Sequence, residues 1–320
     1  MPDVHRLDLN MKWKPGHVAA YLIEGDGLAL VDAGVAPDGN EDGEEELRAE
    51  FEAVGHEFGD VDAVLVTHPH LDHDGYVRDV VEKSDATVYA YEGVVDTVET
   101  TGVEERARRN VREAGIVGEA AEEAVERWLD GVRKNADLLP ADSVDVTLSD
   151  GETFEAAGVT FEALHTPGHQ TDHLCYACDN LLFAGDAVAD SFRPIIYNVG
   201  FDDGMFDSVE VCYGTFERLA DRAEDFDSVY PGHGSVIEDL GAAVEGSVES
   251  LDALVEDVHA TAAAFDDPTA LDVTFARKSP EQEIGHLIFD NIAALGYLEK
   301  QGRAESYVED GVRRFRVTEA

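Results

Sequence analysis

Apolar positions along the chain come in short runs separated by stretches of helical spacing. Runs at Ala19–Ile23, Leu28–Val31 and Val61–Val66 predict strands, the last leading directly into Thr67-His68. The acidic stretch Glu44–Val54 and the segment Gly75–Val81 predict helices, and Ala86–Tyr91 a further strand. Residues 92–139 are Arg- and Glu-rich with helical periodicity, and Trp128 and Leu129 are their apolar anchor, which predicts a helical insertion overhanging a site. Strand signals resume at Val144–Leu148, Val159–Leu164, Leu174–Ala177 and Leu181–Ala184, with turns at Asp150-Gly151 and Asp179-Asn180. A helix over Val209–Ala223 and a strand over Ser228–Tyr230 then reach Pro231-Gly232-His233.

The two halves of this region share one element order. Each is strand-rich and ends in a helix and a strand carrying ligand-type residues, so two sheets packed face to face with helices outside are expected, an α+β architecture. From about Gly241 the pattern turns helical: Ile284, Leu287, Ile288, Ile292 and Leu295 trace one apolar face. Ala304–Glu309, Asp310-Gly311 and Val312–Val317 then read as a β-hairpin. The expected division is a catalytic domain over 1–240 and a helical, winged-helix-like domain over 241–320, which either serves a binding role or packs against one flank.

Charge changes the picture of the environment. Seventy acidic residues against 23 Lys and Arg give a net charge of −47 in 320 residues, spread along the chain. Such repulsion opposes compaction in dilute buffer, whereas molar salt cuts the Debye length to about 3 Å, so a halophilic, high-salt cytoplasm is expected. Intrinsic disorder fits poorly with 44% hydrophobic residues in periodic runs. Three cysteines at irregular spacing do not make a disulfide framework, and no apolar run is long enough to cross a bilayer. Cys175 and Cys178 form a C-x-x-C, but their spacing along a strand places them on opposite faces, which predicts a structural role.

The chemistry is concentrated in Thr67-His68-Pro69-His70-Leu71-Asp72-His73-Asp74-Gly75, where a buried strand runs out into a loop. Imidazole and carboxylate are ligand types that zinc accepts, and an alternating H-x-H points two side chains to one side of an extended chain. Asp72 and His73 then face a second position, so one loop can begin two metal sites. Three further strand ends carry a Gly-containing turn and a ligand: Thr166-Pro167-Gly168-His169, Phe183-Ala184-Gly185-Asp186 and Tyr230-Pro231-Gly232-His233. Glycine there supplies an unusual φ or a close backbone approach. His5, His56 and His259 lack such company and read as ordinary polar residues.

Together with Val31-Asp32-Ala33-Gly34, these segments, in this order, resemble the metallo-β-lactamase superfamily over roughly residues 15–240. The resemblance implies an αββα four-layer sandwich. It implies His68, His70 and His169 on one metal, Asp72, His73 and His233 on a second, Asp186 between them, and Asp32 supporting the ligands from behind. Thr67, His165 and His173 are further candidates for that supporting layer. Two zinc ions are implied, with iron or manganese as alternatives. Two divalent ions about 3.5–4 Å apart share a bridging water and lower its pKa toward about 7, so the expected reaction is attack by that hydroxide, with Asp72 orienting it and accepting its proton.

Family branches differ at positions visible here. True β-lactamases of this fold generally lack the bridging aspartate, the flavin-linked diiron branch replaces the second histidine of the first motif, and the RNA-processing enzymes carry a large insertion before the last histidine. Here Asp186 and His70 are present and only 46 residues lie between Asp186 and His233. What remains resembles either the glyoxalase-type thioesterases or a compact branch with a helical C-terminal domain that includes an RNA endonuclease, and the expected substrate is a small-molecule ester or thioester. Single-stranded RNA cleavage is the alternative, with Arg313, Arg314 and Arg316 on the hairpin in its favour and the lack of an aromatic-and-basic stacking platform against it. Further readings are an iron-dependent sulfur oxygenase using a mononuclear subset of the ligands and a nucleic-acid-binding regulator with a vestigial site. No partner within a membrane is expected, and the stretch His169-Gln170-Thr171-Asp172-His173 departs from the small, Ser- or Pro-containing segment usual in the family.

Overall fold

The computed structural model describes residues 2–97, 102–279 and 284–318. The first sheet runs in spatial order β1 (Asp3–Asn10), β2 (His17–Glu24), β3 (Leu28–Val31), β4 (Ala63–Leu65), β5 (Thr87–Tyr91) and β6 (Val146–Leu148). Its first three strands are antiparallel, and β3 to β6 are parallel. The second sheet has the order β7 (Thr153–Ala156), β8 (Val159–His165), β9 (Leu174–Cys178), β10 (Leu181–Gly185) and β11 (Ser228–Pro231), antiparallel except for the β10–β11 pair.

The alternation of side chains along each strand builds three cores. On β2, Ala19, Tyr21 and Ile23 face the second sheet and meet Phe161, Tyr176 and Phe183, while Val18, Ala20 and Leu22 face outward. The outward set packs against Leu47 and Phe51 of α1 (Gly43–Val54) and Val77 and Val80 of α2 (Val77–Ser84). Strands buried on both faces read as continuous apolar runs, which is why β2, β3 and β4 are plain in the sequence. Each fully buried phenylalanine here contributes on the order of 2–3 kcal/mol of burial free energy.

Between β5 and β6 the chain forms α3 (Glu92–Thr97), α4 (Val103–Glu113) and α5 (Glu119–Leu138). The outer face of the second sheet is covered by α6 (Ser208–Asp221), α7 (Leu240–Ala262) and α9 (Ile284–Lys300), with α8 (Ala270–Arg277) beside them. This third core is continuous. Leu164 and Leu182 of the sheet, Val111 and Leu129 of the insertion, and Leu251, Ile292 and Phe315 of the C-terminal region belong to one buried cluster. The four layers are helix, sheet, sheet, helix, with a helical C-terminal region. The chain closes with the hairpin β12 (Ala304–Glu309) and β13 (Val312–Val317), whose turn residues Asp310 and Gly311 have φ of 51° and 79°. Cys175 and Cys178 lie on opposite faces of β9, one in the outer core and one between the sheets, as the strand period requires. Among the described residues no helix is long and apolar enough to cross a membrane.

Candidate metal centre

Five segments meet along one edge of the sandwich, at the carboxyl ends of β3, β4, β8, β10 and β11. Buried tyrosines pin two of these ends: the Tyr176 hydroxyl donates to the Val66 carbonyl at 2.7 Å and that of Tyr21 to the Pro231 carbonyl at 2.6 Å. Glycines make room for the rest. Gly185 has φ of 45°, and a Cβ there would lie 2.6 Å from His173 Nε2 and 2.8 Å from Thr67 Oγ1. A Cβ on Gly232 would lie 2.5 Å from His73 Cε1 and 2.7 Å from an Asp186 oxygen. The close approach expected from the sequence is thus the reason for both glycines.

His68, His70 and His169 gather at one position, with His70 Nδ1 lying 3.1 Å from His68 Nε2 and 3.0 Å from His169 Nε2. Asp72, His73 and His233 gather at a second, where His233 Nε2 is 3.5 Å from an Asp72 oxygen. Asp186 stands between them: one oxygen is 3.4 Å from both His169 Nε2 and His233 Nε2, and the other is 3.5 Å from His73 Nε2. His68, His73, Asp186 and His233 are buried, while His70, Asp72 and His169 are partly buried.

The tautomers are set from behind. His73 Nδ1 donates to Asp32 at 2.8 Å, His233 Nδ1 to the His17 carbonyl at 2.7 Å, and His169 Nδ1 to the Ile195 carbonyl at 2.8 Å. Thr67 donates its hydroxyl to Asp32 and accepts from His68 Nδ1 at 3.0 Å. With Nδ1 so engaged, each of these four imidazoles turns its Nε2 toward the cluster, the orientation that metal-ligating histidines require. Asp32 also takes the Thr67 backbone N–H at 2.8 Å, and it does so from a left-handed backbone with φ of 57°. Non-glycine residues in that region cluster at functional sites.

The donor set fits divalent cations. The imidazole nitrogens of the first group converge to 3.0–3.1 Å, close to the separation of about 3.3 Å that tetrahedral zinc with bonds of about 2.0–2.1 Å gives its nitrogens. His73 Nε2 and one Asp186 oxygen are buried and make no hydrogen bond, as expected of atoms reserved for a metal. The electrostatics are mutual. Burial disfavours the Asp186 carboxylate, but His233, His73 and His169 outweigh it and hold the carboxyl well below the usual range. Burial and the neighbouring imidazoles push His68 well down and His70 down to about 3. His73 and His233 go the other way: burial opposes their charge, but Asp186 together with Asp32 or Asp72 overrides it, raising His73 well above its ordinary value and His233 to about 10.

The remaining sequence candidates fall in different places. His173 is fully buried, accepts the Asp186 backbone N–H at 3.0 Å and meets Thr166 Oγ1 at 2.8 Å. His165 is further out, stacked on Tyr91 and donating to the Thr171 carbonyl at 2.8 Å in the loop that carries His169. His17 and Tyr197 border the cluster, the latter with its ring 5.5 Å from those of His70 and His169. Reading the sequence misses Asp74, fully buried with neither carboxylate oxygen hydrogen-bonded, and the carbonyls of Ile195 and His17. Backbone carbonyls leave no trace in residue identity. Asp74 could have been flagged by its place in the motif.

A four-layer sandwich with a His/Asp cluster at its strand ends defines a class of metal-binding hydrolase folds. The chain matches the metallo-β-lactamase superfamily over residues 13–233 and belongs to it. It is 26% identical over 204 residues to the lactamase-like protein aptB of Emericella nidulans, covering 63% of this chain and 47% of that protein. It is 30% identical over 113 residues to an atrochrysone carboxyl ACP thioesterase of Paecilomyces divaricatus, covering 35% of this chain and 31% of that one. The chain thus spans less than half the length of these relatives. A metallo-β-lactamase family protein of Thermus thermophilus superposes with a TM-score of 0.77 at 23% identity, covering 98% of both chains. A β-lactamase domain protein of Burkholderia ambifaria gives 0.75 at 21%, covering 99% of this chain and 93% of that one. The fold therefore recurs over the whole chain, C-terminal helices included.

Proposed function

We propose that this superfamily hydrolase is binuclear and zinc-dependent and cleaves a small ester or thioester. The observation that carries the reading is the convergence of His68, His70 and His169 with Asp72, His73 and His233 about Asp186. The first three would hold one ion and the second three another, with Asp186 shared. Two divalent ions so held supply Lewis-acid activation of water at neutral pH. Asp72, half-buried at the mouth of the cluster, is the proposed catalytic carboxylate: it orients the attacking water and accepts its proton. Asp32, Thr67 and His173 keep the ligands in register, and His165 steadies the loop behind His169.

The thioesterase relatives support the ester or thioester reading over cleavage of RNA. So do the hairpin arginines, which are engaged by acids: Arg313 pairs with Glu113 at 3.0 Å and Arg316 with Asp267 at 2.6 Å, while Arg314 donates to the Asp267 carbonyl at 3.1 Å. Phosphate binding would have to displace those partners. A mononuclear iron site would leave the second triad without purpose, and a vestigial site would not preserve every ligand. In this reading residues 1–240 form the catalytic unit and 241–320 a winged-helix-like unit that packs against it, in a high-salt cytoplasm. The test is a hydrolysis panel in molar salt spanning thioesters, aryl esters, lactones, phosphodiesters and single-stranded RNA, with zinc and iron assayed on the same samples. Thioester or ester turnover that disappears in Asp186→Ala and His233→Ala supports the proposal; equal activity of wild type and variants on every substrate removes it.

A further inference from the structure

The C-terminal helix α9 reaches the metal cluster through a chain of hydrogen bonds that side-chain packing alone does not require. Asp290, on the buried face of α9, accepts the Ile196 backbone N–H at 3.0 Å with one oxygen and the Arg193 guanidinium at 3.0 Å with the other. Arg193 in turn donates to the Pro194 carbonyl at 2.7 Å. Both charges are almost fully removed from solvent, with about a tenth of each side chain exposed (8% and 11%). The carbonyl immediately before the clamped N–H, that of Ile195, is the one that receives His169 Nδ1–H at 2.8 Å. The same segment returns the favour through the backbone, since Tyr197 and Asn198 donate their N–H groups to the His169 carbonyl at 3.1 and 2.8 Å. Phe289, next to Asp290, packs its ring 5.5 Å from that of Tyr197, which borders His70 and His169.

We propose that Asp290 is a positioning residue of the metal site, fixing the segment 193–198 so that the Ile195 carbonyl holds His169 with Nε2 aimed at His68 and His70. The C-terminal region is then part of the metal centre's construction and not only a cover over one flank. The physical reason is that an irregular segment has no ladder of its own to fix its carbonyls, so a buried acceptor from a rigid helix supplies the missing constraint. A buried ion pair gains little stability over apolar residues of the same shape, but its geometry specifies position. The inference rests on the proposed metal-binding role of His169.

Removing Asp290 alone would strand the Arg193 charge, so the decisive comparison uses two double variants without it. Arg193→Met with Asp290→Asn keeps an amide oxygen for the Ile196 N–H; Arg193→Met with Asp290→Leu does not. Full-length proteins are titrated with Co2+ in molar KCl, and the His169 Nδ1–H resonance is followed by NMR for exchange with water, alongside the melting temperature of each metal-free protein. The Asn variant is expected to bind cobalt as wild type does. The Leu variant is expected to bind at least about tenfold more weakly, the lower range for loss of a partner behind a ligating histidine, and to exchange the His169 proton faster at a similar melting temperature. Equal cobalt affinity and equal exchange in both double variants overturn the inference. So does a weakening in both that tracks melting temperature, because that is a purely structural effect. Failure of the underlying metal-site reading looks different: wild type itself takes up no cobalt.

Discussion

Asp32→Asn isolates what a single carboxylate does for the whole cluster. The change preserves volume and shape, yet Asp32 accepts three hydrogen bonds, from the Thr67 N–H, the Thr67 hydroxyl and His73 Nδ1, each at 2.8 Å. An amide has one acceptor oxygen and must turn its NH2 toward one of the two positions. Facing the Thr67 N–H, it sets donor against donor at a cost of about 1–3 kcal/mol for the buried group left unsatisfied. Facing Thr67 Oγ1 and His73, it donates to Nδ1, which moves the imidazole proton to Nε2, the atom that must be bare to bind a cation. The second outcome is the cheaper for the fold and the more damaging for the site. We expect a modest loss of stability and a loss of metal affinity at the His73 position of about 10–100-fold, the usual cost of a missing partner behind a ligating histidine. Competition against a chromogenic chelator reads the affinity, and thermal unfolding of the metal-free protein reads the stability. If Asp32→Asn binds two equivalents as tightly as wild type, the account of how Asp32 sets the His73 tautomer is wrong.

Other perturbations reach the same structure by different routes. Gly185→Ala places a Cβ 2.6 Å from His173 Nε2 on a backbone with φ of 45°, so it should cost about 1–3 kcal/mol and lower metal stoichiometry below two, read by elemental analysis of the purified variant; full occupancy would contradict it. In the metal-free protein His73 and His233 are held protonated at neutral pH, the latter with its pKa raised to about 10, whereas a cation needs the neutral ring. Metal uptake at pH 7 should therefore release protons, and affinity should climb as pH rises through the neutral range; calorimetry in buffers of different ionisation enthalpy checks this, and buffer-independent heats would refute it. With a net charge of −47, the melting temperature should increase between about 0.1 and 2 M KCl as screening shortens to a few ångströms, and a flat or falling curve would remove the electrostatic explanation of the acidic composition.

Much of the candidate site could be read from residue order because the side chains that converge there sit where buried strands end. Strands β4, β10 and β11 are short, mainly apolar runs followed within three residues by His68, Asp186 and His233 respectively. The hairpin β12–β13 was equally plain, since Asp310-Gly311 supplies the two positive φ angles that its turn needs. Strands β1 and β7 escaped notice for the opposite reason. Both lie at sheet edges; only Leu7 and Leu9 of β1 and Ala156 of β7 are buried, and the rest of each strand is polar or half-exposed. The groups that orient the ligands were legible only in part. Asp32 belongs to a motif, but Ile195, His17 and Asp290 act through a carbonyl or across 94 residues of sequence, and no local pattern marks either.

The proposed reaction requires two cations among these seven side chains. Anomalous diffraction at the zinc edge, from crystals of protein purified without chelator and with zinc supplied, addresses it directly. Two peaks about 3.5–4 Å apart are expected, one against His68, His70 and His169 and the other against Asp72, His73 and His233, with Asp186 touching both. A cluster that stays without anomalous density under those conditions, or that holds a single ion with one triad left bare, would contradict it.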